Sequence, residues 1–283
     1  MMTRRIGLTA LAASLASACS PLSLFATLTP KDAARREARG VAYGEGDRRR
    51  LDVYAPPVSG TAPVALFFYG GSWDSGRRED YGWVGRALAA QGFVTVVPDY
   101  RLFPQVRVPD FVEDCAAAAR WTVDNIALHG GDPSRLVLVG HSAGAYNAAM
   151  LALDRRWLDR AGVPGSPVRA FAGLSGPYDF LPLDGPVTRR TFGEAADLEA
   201  TQPTRFAAAG APPAFLATGD ADTTVFPRNT RKLAAALREA GVRVEERHYA
   251  GLTHADTVLA LSRPLRGKAP LLADMTDFLK AAL

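Results

Sequence analysis

Cysteine is almost absent from this chain: two occur in 283 residues, Cys19 and Cys115. At most one disulfide could form, and none if Cys19 is modified. Stability must come from a buried core, which a chain of this length supplies without covalent help. Charge of one sign is also scarce. The 33 Lys and Arg stand against 29 Asp and Glu, a formal surplus of +4. No basic tract with interleaved aromatics occurs, so nothing points to a nucleic-acid partner. Internal repeats are missing, and the one biased stretch is an Ala-rich N-terminus. The apolar run there, IGLTALAASLASA, is about a dozen residues, too short to span a bilayer as a helix. Histidine is limited to four. What remains is a globular mix, 48% hydrophobic and 22% charged, sized for one large α/β domain or two small ones.

The N-terminus reads as an export signal: MMTRR is a positive leader, an apolar stretch follows, and small residues precede Cys19. ASAC resembles the lipobox of bacterial lipoproteins, which would make Cys19 the lipidated first residue of the mature chain. Ala16 departs from that pattern, where Leu or Val is usual. The alternative is an ordinary secretory signal cut after Ala18. Either way the chain is expected to be exported, tethered to a membrane on its periplasmic face if Cys19 carries lipid and otherwise soluble in the periplasm or secreted. Losing Arg4 and Arg5 with the signal leaves a charge of about +2. The expected organisation is a signal over 1–18, a tether and short charged helix over 19–40, and one α/β domain over 41–283.

Along that domain, GVAYGEGDRRRLDVYAPP reads as two strands around a Gly-rich turn. PVALFFYG, FVTVVPDY, SRLVLVG, VRAFAGLSG and PPAFLATGD read as buried strands, and VRVEERHY as an edge strand. Between them lie helical stretches: REDYGWVGRALAAQG, PDFVEDCAAAARWTVDNIALHGG opened by Pro109, AGAYNAAMLALDRRWLDRAG, PRNTRKLAAALREAG and PLLADMTDFLKAAL. The alternation predicts a mostly parallel sheet with helices on both faces. Between Asp179 and Ala211 the periodicity weakens, which predicts a small insert over one edge of the sheet. Cys115, inside the second helix, reads as a small buried core residue.

The chemistry centres on LVLVGHSAGAYNAAM. A buried strand stops at Gly140, Ser142 follows, and a helix begins at once. So sharp a turn forces its central residue into sparsely populated backbone, and it would hold the Ser142 hydroxyl clear of the sheet. A serine nucleophile needs a base, a group that orients the base, and donors for the oxyanion. His141 adjoins Ser142 but is expected to point elsewhere, His129 ends a helix, and His248 lies in a strand. His254, in the loop AGLTHAD after the last strand, shares the ligand-binding edge of such a sheet and is the expected base. The orienting acid should follow another strand on that edge. GDAD offers Asp220 and Asp222; Asp222, past the turn, is favoured, and Asp220 reads as a turn-stabilising residue. The N–H of Ala143, at a helix start, and a glycine loop in FFYGGSWDSG are the candidate oxyanion donors.

From about Leu51 onward the chain resembles the α/β-hydrolase esterases and lipases of the hormone-sensitive-lipase and bacterial carboxylesterase group. The matching stretches are YGGSW, PDYRLFP, GGDPSRLVLVGHSAG, GDADTTV and GLTHAD, in the expected order. The resemblance implies the α/β-hydrolase fold and a serine mechanism, with Ser142 as nucleophile, Asp222 as orienter and His254 as base. It puts the oxyanion donors on Gly71, Ser72 and Ala143, and makes Asp99, Tyr100 and Arg101 scaffold beneath the site. Tyr69 replaces the usual His, so a braced but altered hole is expected. Ser72 replaces a third glycine, and Trp73 is expected to wall the substrate pocket. The activity implied is hydrolysis of small-molecule carboxylic esters with short to medium acyl chains, with no metal or organic cofactor. YGGSW also resembles the loop of prenylcysteine methylesterases and arylformamidases, which keeps those activities open. An acyl-transferase and a non-catalytic binding lipoprotein are the further alternatives.

Overall fold

The computed structural model describes residues 21–58 and 60–283. The signal and the Cys19 lipidation position lie outside the described residues. Eight strands form one sheet: β1 (Arg35–Ala42), β2 (Arg50–Ala55), β3 (Ala62–Phe68), β4 (Val94–Pro98), β5 (Gly131–His141), β6 (Val168–Leu174), β7 (Ala214–Gly219) and β8 (Val244–Tyr249), in the spatial order β1-β2-β4-β3-β5-β6-β7-β8. β1 and β2 are antiparallel to their neighbours, and every pair from β4 to β8 is parallel. The reason is legible residue by residue. Val64 to Phe68 are all fully buried, as a strand covered on both faces must be.

The helices are α1 (Pro21–Leu28), α2 (Gly82–Ala90), α3 (Asp110–Asn125), α4 (Ala143–Leu153), α5 (Arg156–Arg160), α6 (Pro186–Phe192), α7 (Arg228–Glu239), α8 (His254–Leu259) and α9 (Leu271–Lys280). Right-handed crossovers put α2, between β3 and β4, on one face and α3 and α4 on the other; α3 and α4 pack together. Cys115, on α3, is fully buried, and burial pushes its thiol up. The 179–211 interval is the expected insert, built from α6 and two 3-10 turns between β6 and β7.

The N-terminal reading differs from the structure in one respect. The charged run expected to be helical, RREARG, forms most of β1, and the helix lies earlier, over α1. Ala, Arg and Glu favour helix locally, but pairing with β2 overrides that preference. The charges have a use there: β1 is an outer strand, and arginines on an exposed edge discourage pairing with another chain. At the other edge β8 carries Glu245, Glu246 and Arg247 as a partly exposed strand, as its sequence predicts.

Candidate functional site

β5 ends at His141, α4 begins at Ala143, and the whole turn between them is Ser142. Its backbone sits at φ 54°, ψ −124°, a strained conformation for a residue with a side chain. The crossing is possible because Gly140 and Gly144 pass one another without side chains. A Cβ on Gly140 would overlap the Gly144 carbonyl, and one on Gly144 would overlap that of Phe68. The Ser142 N–H is fixed by the Leu174 carbonyl at 2.9 Å, so the strain is held by backbone bonding to the neighbouring strand.

The structure brings three of the sequence-predicted side chains into contact. His254 Nε2 is 2.8 Å from Ser142 Oγ, and His254 Nδ1 is 2.8 Å from Asp222 Oδ2. The second oxygen of Asp222 accepts the N–H groups of Thr224 and Val225, both at 2.9 Å. Burial works against ionisation of Asp222, but hydrogen bonds from His254, the Val225 N–H and the Ser175 hydroxyl outweigh it, so its carboxyl is held below the usual range. Asp220 instead accepts the Gly251 N–H at 2.6 Å and ties two turns together.

His254 was expected in a loop; it is the first residue of α8. Thr253 caps that helix in a reciprocal box with Asp256, whose carboxyl is pulled down to about 2 by Lys268 and Thr253. A capped helix start fixes the backbone of the base more firmly than a loop would.

The loop after β3 runs through positive φ at Gly71 (135°), Ser72 (54°) and Trp73 (57°). The Gly71 carbonyl turns inward and accepts the Asp74 and Ser75 N–H groups at 3.0 Å and Ser75 Oγ at 2.9 Å. Among the described residues, the N–H groups of Gly71, Ser72 and Ala143 have no acceptor. Tyr69 braces this loop, as expected from its replacement of histidine. Its hydroxyl donates to Asp99 at 2.8 Å and accepts from Arg48 at 2.8 Å, and its ring stacks between Tyr81 and Tyr100. Asp99 also receives the Arg78 backbone N–H at 2.7 Å and the Arg78 guanidinium. Tyr100 donates to the Tyr69 carbonyl at 2.8 Å, and Arg101 clasps Asp114. These are the scaffold positions the resemblance implied.

Trp73 is only 3% exposed. Its indole donates to Asn147 at 3.2 Å and packs against Phe192 of the insert, with centroids 4.8 Å apart at 81°, and against Phe111 and Tyr146. It joins sheet domain to insert and presents little open surface.

Four contributors escaped the sequence reading. His141 does point away from the Ser142 hydroxyl, but toward a specific partner: its Nε2–H donates to the His254 carbonyl at 3.1 Å, and burial pushes its imidazole down to about 3. Thr257 donates to the same carbonyl at 2.9 Å, and Ser175 Oγ lies 3.0 Å from Thr257 Oγ1. Ser175 is fully buried at φ 50°. The usable signal for it was LSG at the end of β6, beside the strand carrying Ser142. Arg78 had no signal, because Asp52 and Asp99, the buried carboxylates it bridges, are distant in sequence. Among the described residues, no group of His, Cys, Asp or Glu is arranged to hold a metal ion.

An open α/β sheet with a serine–imidazole–carboxylate relay on its carboxyl edge, beside free backbone donors, defines the α/β-hydrolase class of the esterase and lipase superfamily. Within that class the chain belongs to the BD-FAE family, which matches residues 51–237. It is 33% identical over 252 residues to a probable isoprenylcysteine alpha-carbonyl methylesterase, ICMEL2, of Arabidopsis thaliana, covering 81% of this chain and 59% of that protein. It is 32% identical to carboxylesterase NlhH of Mycobacterium tuberculosis, covering 83% of this chain and 79% of that one. The structure superposes on a thermostable esterase from Pseudomonas putida with a TM-score of 0.73 and 25% identity, covering 96% and 95% of the two chains. The chain therefore spans about three-fifths of the length of the plant relative.

Proposed function

We propose that this chain hydrolyses small-molecule carboxylic esters with short to medium acyl chains through an acyl-enzyme. The observation carrying this reading is the continuous relay from Asp222 through His254 to Ser142, with both contacts at 2.8 Å. His254 holds its Nδ1 proton against Asp222, which leaves Nε2 free to accept the Ser142 proton as Oγ attacks the ester carbonyl. The carbonyl oxygen becomes an oxyanion facing the N–H groups of Gly71, Ser72 and Ala143. The alcohol departs with the proton from His254. Water, deprotonated by the same imidazole, then releases the acid and restores the serine. The dense aromatic packing of Trp73 with Phe192 and Phe180 favours short acyl groups over long ones.

A p-nitrophenyl ester series of increasing chain length tests this reading. Turnover should peak at short to medium chains, and a fluorophosphonate probe should label the wild type and spare Ser142→Ala. A rate rising to the longest chains would overturn the length assignment, and labelling of Ser142→Ala would overturn the mechanism. A methylesterase acting on a prenylated cysteine ester is the second reading, favoured by the plant relatives' names. Comparing methyl esters, p-nitrophenyl esters and N-formyl aryl amines on the same protein ranks these substrate classes. We further propose that the chain is exported and lipidated at Cys19, which the intact mass of its N-terminal peptide reads directly.

A further inference from the structure

α1, β1 and the turn after the 70–76 loop enclose a groove of about 500 Å³. Its rim carries Lys31, Arg36, Arg39, Arg77 and Arg86, and Tyr54 lies at its base. The carboxylates around it are already engaged: Asp52 and Glu79 by Arg78, at 3.0 and 2.8 Å, and Asp80 by Arg77 at 3.2 Å and Ser23 at 2.8 Å. Lys31 and Arg86 donate to the carbonyls of Thr27 and Ala34. Among the described residues, Lys31, Arg36, Arg39 and Arg86 form no ion pair. Beside this cationic rim the outer face of α1 presents Leu24 and Leu28, 54% and 71% exposed, four residues apart on one side of the helix.

This surface adjoins the site. Ser23 on α1 bonds Asp80 in the turn that follows the 70–76 loop, and Phe25 packs edge-on against Trp83. Just beyond the other end of α1, Arg263 donates to the Lys31 carbonyl at 3.3 Å and Arg266 pairs with Asp32 at 2.8 Å. Both arginines lie in the segment following the helix that carries His254. Residues 21–32 thus bridge the start of α2 and the segment after α8, and α1 begins two residues after Cys19.

We propose that α1 and the cationic groove form a docking face for a bilayer rich in anionic phospholipid. Leu24 and Leu28 enter the headgroup region, and Lys31, Arg36, Arg39 and Arg86 face lipid phosphates. Exposed leucines give the face apolar purchase, and unpaired cations give it a preference for anionic lipid. The docking needs neither the acyl chain on Cys19 nor the hydrolytic assignment.

The test sediments the full chain carrying Cys19→Ser with vesicles of phosphatidylcholine alone or doped with phosphatidylglycerol. Arg36→Glu/Arg39→Glu and Leu24→Ser/Leu28→Ser are made in the same background. All three chains share residues 1–20, so differences between them belong to the docking face. The parent should favour anionic vesicles. With each cation near the surface contributing about fivefold, the double charge reversal should weaken that binding at least about 25-fold. The leucine variant should also bind more weakly, and turnover of a soluble p-nitrophenyl ester should stay unchanged in both. Equal binding by parent and charge variant, a parent indifferent to anionic lipid, or no vesicle binding at all would overturn the proposal. So would displacement by inorganic phosphate at constant ionic strength, which would mark a small-anion site.

Discussion

Replacing His141 by Gln should make the protein less sensitive to mild acid. The imidazole is buried beneath the His254 backbone, and burial, reinforced by the neighbouring His254, pushes it down to about 3. In the unfolded chain a histidine titrates near 6.5. Between those values the unfolded state binds a proton that the folded state refuses. Stability must therefore fall as pH drops below about 6.5, and the fall continues until pH reaches the folded value. Each pH unit in that window costs about 1.4 kcal/mol, so between pH 7.5 and 5.0 His141 alone removes about 2 kcal/mol. Gln can keep a donor on the His254 carbonyl but cannot titrate, and the other three histidines cancel when wild type and variant are compared. Urea unfolding of both proteins at the two pH values measures the difference. The wild-type midpoint should fall further than the variant's, by about 0.6 M for an m-value somewhat above 3 kcal/mol/M. His141→Phe removes the donor as well, and should cost about 1 kcal/mol at neutral pH, because Thr257 still serves that carbonyl. Parallel midpoints for wild type and His141→Gln across the window would refute the reasoning, as would an NMR titration placing His141 near 6.5.

Asp222→Asn removes the charge that fixes the His254 tautomer; kcat should fall about 10³- to 10⁴-fold with little change in urea midpoint, as steady-state kinetics would show. Tyr69→Phe takes one donor from Asp99 and leaves Arg78 in place. It should cost about 1–2 kcal/mol of stability and about tenfold in kcat, with KM less affected, because the loop it braces carries oxyanion donors. Trp73→Ala empties the junction between Phe192, Phe111 and Tyr146. A loss of about 3–5 kcal/mol should accompany a shift of the p-nitrophenyl ester optimum toward longer chains; an unchanged optimum would show that this cluster does not limit the acyl group.

What the sequence disclosed depended on how local the cause was. Strain at Ser142 is written in five consecutive residues, because only glycines at 140 and 144 let strand and helix cross there. Buried strands such as Val64 to Phe68 announce themselves by an unbroken apolar run. The convergence of Ser142, Asp222 and His254 was readable one step further out, since loops after parallel strands share an edge. The charged run at Arg35 misled because helix propensity is local and strand pairing is not: nothing within RREARG names β2 as its partner.

The supports of the base were harder to see for the same reason. His141, Thr257 and Ser175 come from β5, α8 and the residue after β6; the first two act through the His254 backbone carbonyl, and Ser175 through the Thr257 hydroxyl and the Asp222 carboxylate. A carbonyl is present at every position, so the sequence cannot mark the His254 carbonyl as the one that needs two donors. The demand on it follows from the chemistry. His254 must keep its ring aligned with both Ser142 and Asp222 while it gains and loses a proton, and a helix start whose first carbonyl is bonded from two sides resists the rotation that would break either contact.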